Sequence, residues 1–336
     1  MFTEKTSAVS RFTASWPDNF NPTITKRVGI SNGDRDISIR CAGNELDPWV
    51  EQPGPIQLFS IMFEDYVVDS KLLKLELNKG KAQGLSKRDL KLMKEDLVDG
   101  GLEKDKKIKI TQVLFNKGTR EVFISAKDGS VLEECILFLS GAQKIGFTNA
   151  CPMSHFIKES ALDGKIPELK MFPAETHPEF EASYETRFGR SFLTYLWGQS
   201  MIAEEPFFYP CDQISLKGES LGSKVVKIEG GIAMRSQELA KSLKQGKLVS
   251  SLKLSILPES LGFDPEIEQP FTFSMDDNFQ VSGLKFPKQY SSADFNRGAF
   301  NYLTDVFDKL NSEVLNCAEK LRGDEFSNDL KKVIQS

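Results

Sequence analysis

VVKIEGGIAMRSQELAKSLKQGKLVSSLKLSI, residues 225–256, holds a change of hydrophobic period, and the chain is best read outward from it. Leu239 and Leu243 stand four apart and share one helical face. Ser236 offers an N-cap oxygen to the first-turn amides, and Lys241 and Lys244 fall in the last turn, where cations suit the helix dipole. Gly246 can adopt the left-handed conformation that ends a helix. Beyond it Leu252, Leu254 and Ile256 alternate with Lys253 and Ser255, the period of a half-buried strand. Phe271 and Phe273, the polar Asp276-Asp277-Asn278, and then Phe279, Val281, Leu284 and Phe286 read as a hairpin. One helix followed by three strands predicts an α+β chain with antiparallel sheets.

Toward the C-terminus, Phe300, Leu303, Phe307, Leu310, Val314, Cys317 and Leu321 are spaced alternately three and four apart. This seam predicts a long amphipathic helix facing either the core or a second subunit. Toward the N-terminus, residues 151–212 are rich in Pro, Phe and Glu and read as loops with short helices connecting two halves. The aromatics of Phe192–Trp197 read as core packing. The expected organisation is a first region over 1–150, a Pro-rich connection over 151–212, a second region over 213–322 and a polar tail over 323–336.

Further upstream, Ser70 can cap a helix carrying Leu72, Leu73, Leu75 and Leu77. Ser86 and Asp89 form a capping-box pattern, with Leu90, Met93 and Leu97 as its buried stripe and Lys87, Arg88, Lys91 and Lys94 mainly off it. Residues 58–64 read as a well-covered strand, and Ser31-Asn32-Gly33-Asp34 as a hairpin turn.

The 336 residues carry a net charge of −5, unevenly spread. From Lys71 to Lys127 there are 15 Lys and Arg against 8 Asp and Glu, and from Ser215 to Leu257 there are 8 against 3. Two basic zones on an acidic chain point either to a localised anion-binding surface or to ordinary solvated helices. No apolar run spans a bilayer, and the start, MFTEKTSAVSRF, has no apolar signal core, so the expected location is cytoplasmic. The five cysteines form no CxxC pair and read as reduced thiols.

The order Ser236-Gln237-Glu238-Leu239, Gly246-Lys247, Asp276-Asp277, Leu284-Lys285-Phe286 and Asp294-Phe295 resembles the RdgC family of recombination-associated, nucleoid-associated DNA-binding proteins. The Lys-rich helical pair also resembles that family, as do the strand Glu121–Ser125, Asp128-Gly129 and the helix 133–144 that follow it. The resemblance covers roughly residues 56–145 and 190–321. It implies a ring-shaped homodimer around double-stranded DNA, nucleoid-associated, with little sequence preference and restraint of a RecA-type recombinase by competition for DNA. The DNA-binding residues it implies are Lys87, Arg88, Lys91, Lys94, Lys117, Arg120, Lys227 and Lys247. Phe115 stands in for the family's dimer-contact Phe, because Ile110–Lys117 replaces the usual Leu-Pro-Arg-Ala-Phe. Gln83 stands where the family has Arg, and Gly230, Gly231 and Ile232 stand where Lys and Gln are expected.

Catalytic signatures are sparse. The two histidines, 22 residues apart, make a His-based zinc site or a Ser-His-Asp triad a poor expectation, and no phosphate-binding glycine motif is present. Gly218-Glu219-Ser220-Leu221-Gly222 fits G-x-S-x-G without its strand-turn-helix context. The reading is therefore a non-enzyme without cofactor or metal. Two alternatives are a structural or protein-interaction role, phage- or assembly-related, and a metal-dependent nuclease using Asp276 and Asp277.

Overall fold

The change of period at Gly246 is a change of structure. A computed structural model of the chain describes residues 8–17, 20, 25–30, 33–42, 44–126, 129–160, 169, 183–218, 225–230, 237–261, 270–285, 295–325, 328–329 and 331–332. In chain order the described elements are β1 (Ala8–Ser15), β2 (Lys26–Ile30), β3 (Gly33–Cys41), β4 (Asn44–Pro48), β5 (Ile56–Val68), α1 (Ser70–Ala82) and α2 (Lys87–Asp96). There follow β6 (Lys104–Asn116), β7 (Glu121–Ala126), α3 (Gly129–Ala142), β8 (Gly146–Asn149), α4 (Pro152–Ser160) and α5 (Tyr184–Ile202). The last are β9 (Tyr209–Lys217), β10 (Val226–Glu229), α6 (Gln237–Lys244), β11 (Leu248–Ile256), β12 (Phe271–Asp276), β13 (Val281–Lys285) and α7 (Phe295–Arg322). The fold is α+β, and the strand pairs that build its sheet are antiparallel. No helix among the described residues is long and apolar enough to cross a membrane.

The chain divides into two units that cut across the sequence. The first takes Ala14–Arg120 and Asp128–Phe147; the second takes Phe2–Thr13, Glu121–Lys127 and Thr148–Ser336. The division therefore falls differently from the linear one expected at 150 and 212. β7 and most of β1 belong to the second unit, because sheet pairing ignores sequence order.

In the first unit the strands run β6-β5-β3-β2, with β4 beside β3. Alternation sends Ile37, Ile39, Phe59, Ile61, Phe63, Val113 and Phe115 to one face, where all are buried. Trp16, Phe20, Trp49, Phe59 and Phe115 form an aromatic cluster, with Trp16 stacked on Phe115 at 3.9 Å. Gly33 follows the two-residue link of the β2–β3 hairpin, and a Cβ there would collide with the Tyr66 carbonyl. Between the long antiparallel partners β5 and β6 the chain inserts α1 and α2.

In the second unit the strand order is β10-β9-β11-β12-β13-β1-β7. All seven apolar positions of the three-four seam are buried on α7, which settles that face as core within one chain. Tyr302 stacks on Phe271 at 4.4 Å, and Phe300 and Phe307 pack on Phe123. α5 lies inside the Pro-rich connection and is longer than the short helices expected there. Eleven of its residues, including Phe192–Trp197, are buried, and Thr194 Oγ1 accepts the Val249 amide at 3.0 Å. Proline-rich flanks concealed a 19-residue core helix whose polar residues bond within the interior.

Candidate nucleic-acid interface

Asp69, not Ser70, caps α1: its carboxylate accepts the Lys71 amide at 2.7 Å, so Ser70 becomes the first helical residue. The expected leucine face is only partly covered. Leu73 is buried and Leu77 half-buried, while Leu72 and Leu75 are 49% and 52% exposed. α2 begins with the complete capping box expected, Ser86 Oγ accepting the Asp89 amide at 3.2 Å and the Asp89 carboxylate accepting the Ser86 amide. Its stripe of Leu90, Met93 and Leu97 is half-buried rather than buried. The hairpin packs on itself at Gly80, where a Cβ would stand 2.9 Å from Met93 Sδ and 3.1 Å from Leu90 Cδ2.

With the apolar side of α2 turned toward α1, Lys87, Arg88, Lys91 and Lys94 are all exposed. Among the described residues Lys87, Arg88 and Lys94 have no carboxylate partner, and Lys91 has only a long one, Glu95 at 3.9 Å. Lys87 and Arg88 occupy the first two helical positions, where the dipole already presents positive partial charge. That placement works against the helix and in favour of an anion beside it. Sequence reasoning passed over a second row: Lys71, Lys74 and Lys81 are exposed along one side of α1, also without acidic partners among the described residues. Their spacing of three and seven was the signal.

The lysines of β6 come from the same run, and three of the four end differently; Lys107 is exposed without an acidic partner among the described residues. Register sets Tyr66 opposite Lys106 and Glu64 opposite Ile108. Lys106 donates to Glu64 at 2.5 Å, Lys104 to Asp34 at 3.1 Å, and Lys109 sits 3.5 Å from Asp65. The Lys106 hydrogen bond holds the Glu64 carboxyl below its ordinary range, and Lys104 followed by Arg27 does the same to Asp34. On the other face, which also carries the Lys109–Asp65 pair, the buried Arg35 bonds Asp65, through Nη2 at 3.0 Å and through Nε, and also Glu134 of α3.

The remaining expected contacts are dispersed. Lys117 is ion-paired with Glu51. Arg120 is exposed at φ 62° in the turn after β6. The length of β6 carries both roughly 40 Å from the α2 end of that strand. Phe115 is 1% exposed and stacked in the aromatic cluster, so its side chain is interior and is not presented to a second copy. In the second unit Lys227 is exposed on β10 opposite Ser215. Lys247 is half-buried where α6 ends. Gly246 has φ 77°, its amide bonds the Leu243 carbonyl at 3.0 Å, and the Lys247 amide bonds the Ser242 carbonyl at 3.1 Å. This Schellman closure satisfies helix-end carbonyls with backbone, and the Lys247 ammonium has no carboxylate partner among the described residues. The Ser236 cap lies outside the described residues.

Other chemistry is accounted for by structure. Asp276 accepts the Asn278 and Gln280 amides, both at 3.0 Å, and Asp277 accepts Arg190 Nε at 2.8 Å, so this acid pair closes a turn and anchors α5. The central residues of the G-x-S-x-G pattern lie outside the described residues, and no cluster of three metal-binding side chains occurs among those described. No family model matches the chain, and no curated protein matches it significantly, so the identity of this α+β chain rests on its own residues.

Proposed function

We propose that the chain binds double-stranded DNA without sequence preference, as a module of RdgC type, and that the α1–α2 hairpin is its principal phosphate-contacting surface. One observation carries this reading: Lys87, Arg88, Lys91 and Lys94 stand exposed on one short helix whose apolar side is occupied, with no close carboxylate among the described residues to neutralise them. Such cations gain affinity by releasing counterions from phosphate and read no bases. Lys71, Lys74 and Lys81 extend the surface, and Lys227, exposed, and Lys247, half-buried, add separate contacts on the second unit. Homodimerisation and competition with a RecA-type recombinase accompany the RdgC-type reading and are tested separately, by sedimentation and by strand-exchange assays.

Gel shifts on plain duplex DNA of two unrelated sequences, at low and moderate salt and with or without magnesium, test the proposal. Equal affinity for both sequences, falling steeply with salt, is expected. Affinity unchanged by salt would falsify the phosphate account. Cleavage in magnesium would favour the nuclease alternative.

A further inference from the structure

The second unit carries a cleft that the DNA reading does not use. It has a volume of about 650 Å³ between the chain before β9, the turn after β11 and α7. A second cavity of about 460 Å³ shares Phe207, Ser260 and Lys309 with it, so the two form one elongated groove. Its floor is apolar, with buried Leu196 and Phe208 beneath half-buried Phe207 and Leu257, which is 40% exposed.

The rim is acidic, and only part of that charge is answered. Asp308 accepts Arg11 at 2.6 Å. Glu313 accepts Lys309 at 3.1 Å and the Tyr195 hydroxyl at 3.1 Å. Glu205, Glu259 and Asp305 line the groove, are exposed, and have no cationic partner among the described residues. Partial desolvation, and after it the neighbouring Asp308, raises the Asp305 carboxyl above its ordinary range. Lys309 displays the chemistry the groove accepts: its ammonium lies 5.4 Å from the Phe207 ring centroid while pairing with Glu313.

We propose that this groove binds a short basic segment of a partner protein, seating an apolar side chain on Phe207 and Leu257 and Arg or Lys side chains against Glu205, Glu259 and Asp305. Charge complementarity selects a cationic occupant and excludes nucleic acid. The elongation over two joined cavities and the apolar floor select a peptide over a small polyamine.

Fluorescence anisotropy of the full chain with a labelled Arg-Leu-Arg-Leu-Arg-Leu peptide tests this. Saturable binding is expected, together with none for the Glu-Leu counterpart. Glu205→Gln/Glu259→Gln/Asp305→Asn should weaken binding about tenfold without lowering the melting temperature, and Glu319→Gln elsewhere on α7 should leave it unchanged. Phe207→Ala should weaken it about fivefold, a loss that persists at high salt. If Phe207→Ala does not fold, the rim variant decides alone. Absence of saturable binding overturns the proposal, as does equal loss in Glu319→Gln. Displacement by spermidine at equal concentration would reassign the groove to small cations. Self-association abolished by the rim variant would assign it to a second copy. DNA affinity should be unaffected by the rim variant, so this proposal and the DNA reading fail separately.

Discussion

Lysines on the α1–α2 hairpin and lysines on β6 come from one run of sequence, yet they reach opposite electrostatic states. Three of the four strand lysines are neutralised: Lys104, Lys106 and Lys109 meet Asp34, Glu64 and Asp65, residues 40 or more positions away in sequence, while Lys107 is exposed without an acidic partner among the described residues. Most of the helix lysines are not, because a helix surface offers each residue mainly its neighbours three and four positions away: α1 supplies Glu76 for Lys79, and α2 just Glu95 for Lys91. A net-positive stretch is thus partly an internally balanced sheet and partly an unbalanced surface. Counting charge along the chain overstates the first and correctly flags the second.

The largest effect should come from breaking the balanced part. Arg35→Ala removes the partner of buried Asp65 and of Glu134, and is expected to cost about 3–5 kcal/mol in urea unfolding. Lys87→Ala should stay within about 0.5 kcal/mol of wild type. If the two substitutions cost the same, the contrast between strand and hairpin fails.

DNA affinity should show the reverse dependence. Reversing Lys87, Arg88, Lys91 and Lys94 to Glu is expected to weaken duplex binding about 100-fold or more at low salt and to flatten its salt slope. Changing Lys104, Lys106 and Lys109 to Gln should weaken it less than about threefold, since those charges are already paired. Equal losses from the β6 lysine triad and the α2 tetrad would remove the hairpin from the interface.

A smaller effect is expected at the cap. Ser86→Ala leaves the Asp89 amide without its acceptor and should cost about 1 kcal/mol, seen as faster amide exchange confined to α2. Unchanged exchange would mean that packing at Gly80 alone holds the hairpin.

The smallest effect is with pH. Glu64 and Asp34 have folded carboxyl values below their unfolded ones, so their contribution is full above the ordinary carboxylate range. It is lost as pH falls through the depressed folded values. Melting temperature should therefore hold near pH 5 and decline toward pH 3, and Lys104→Gln/Lys106→Gln should flatten that decline. A decline of the same steepness in the double variant would detach it from these pairs.

Much of the fold was legible from side-chain period. The α6–β11 change at Gly246, the β12–β13 hairpin and the seven buried positions of α7 follow from spacing that only one backbone period can satisfy. α5 was not legible, since Arg190, Ser191 and Thr194 read as polar but are buried, Arg190 and Thr194 with partners supplied by other elements and Ser191 bonding the Arg187 carbonyl within the helix. Of the site, the capping box and the four α2 cations were legible, because each depends on neighbours three or four residues away.

The sequence alone determined the elements with an unbroken side-chain period, such as α2, α6, β11 and α7, and which helix carries an exposed cationic side, because those properties are settled within one or two turns of chain. Only tertiary structure decided which cations stay uncompensated, where the two units divide, and that Phe115 is interior. Each of these depends on antiparallel register, which brings Asp34 to Lys104 and Glu64 to Lys106 across distances that no local pattern encodes.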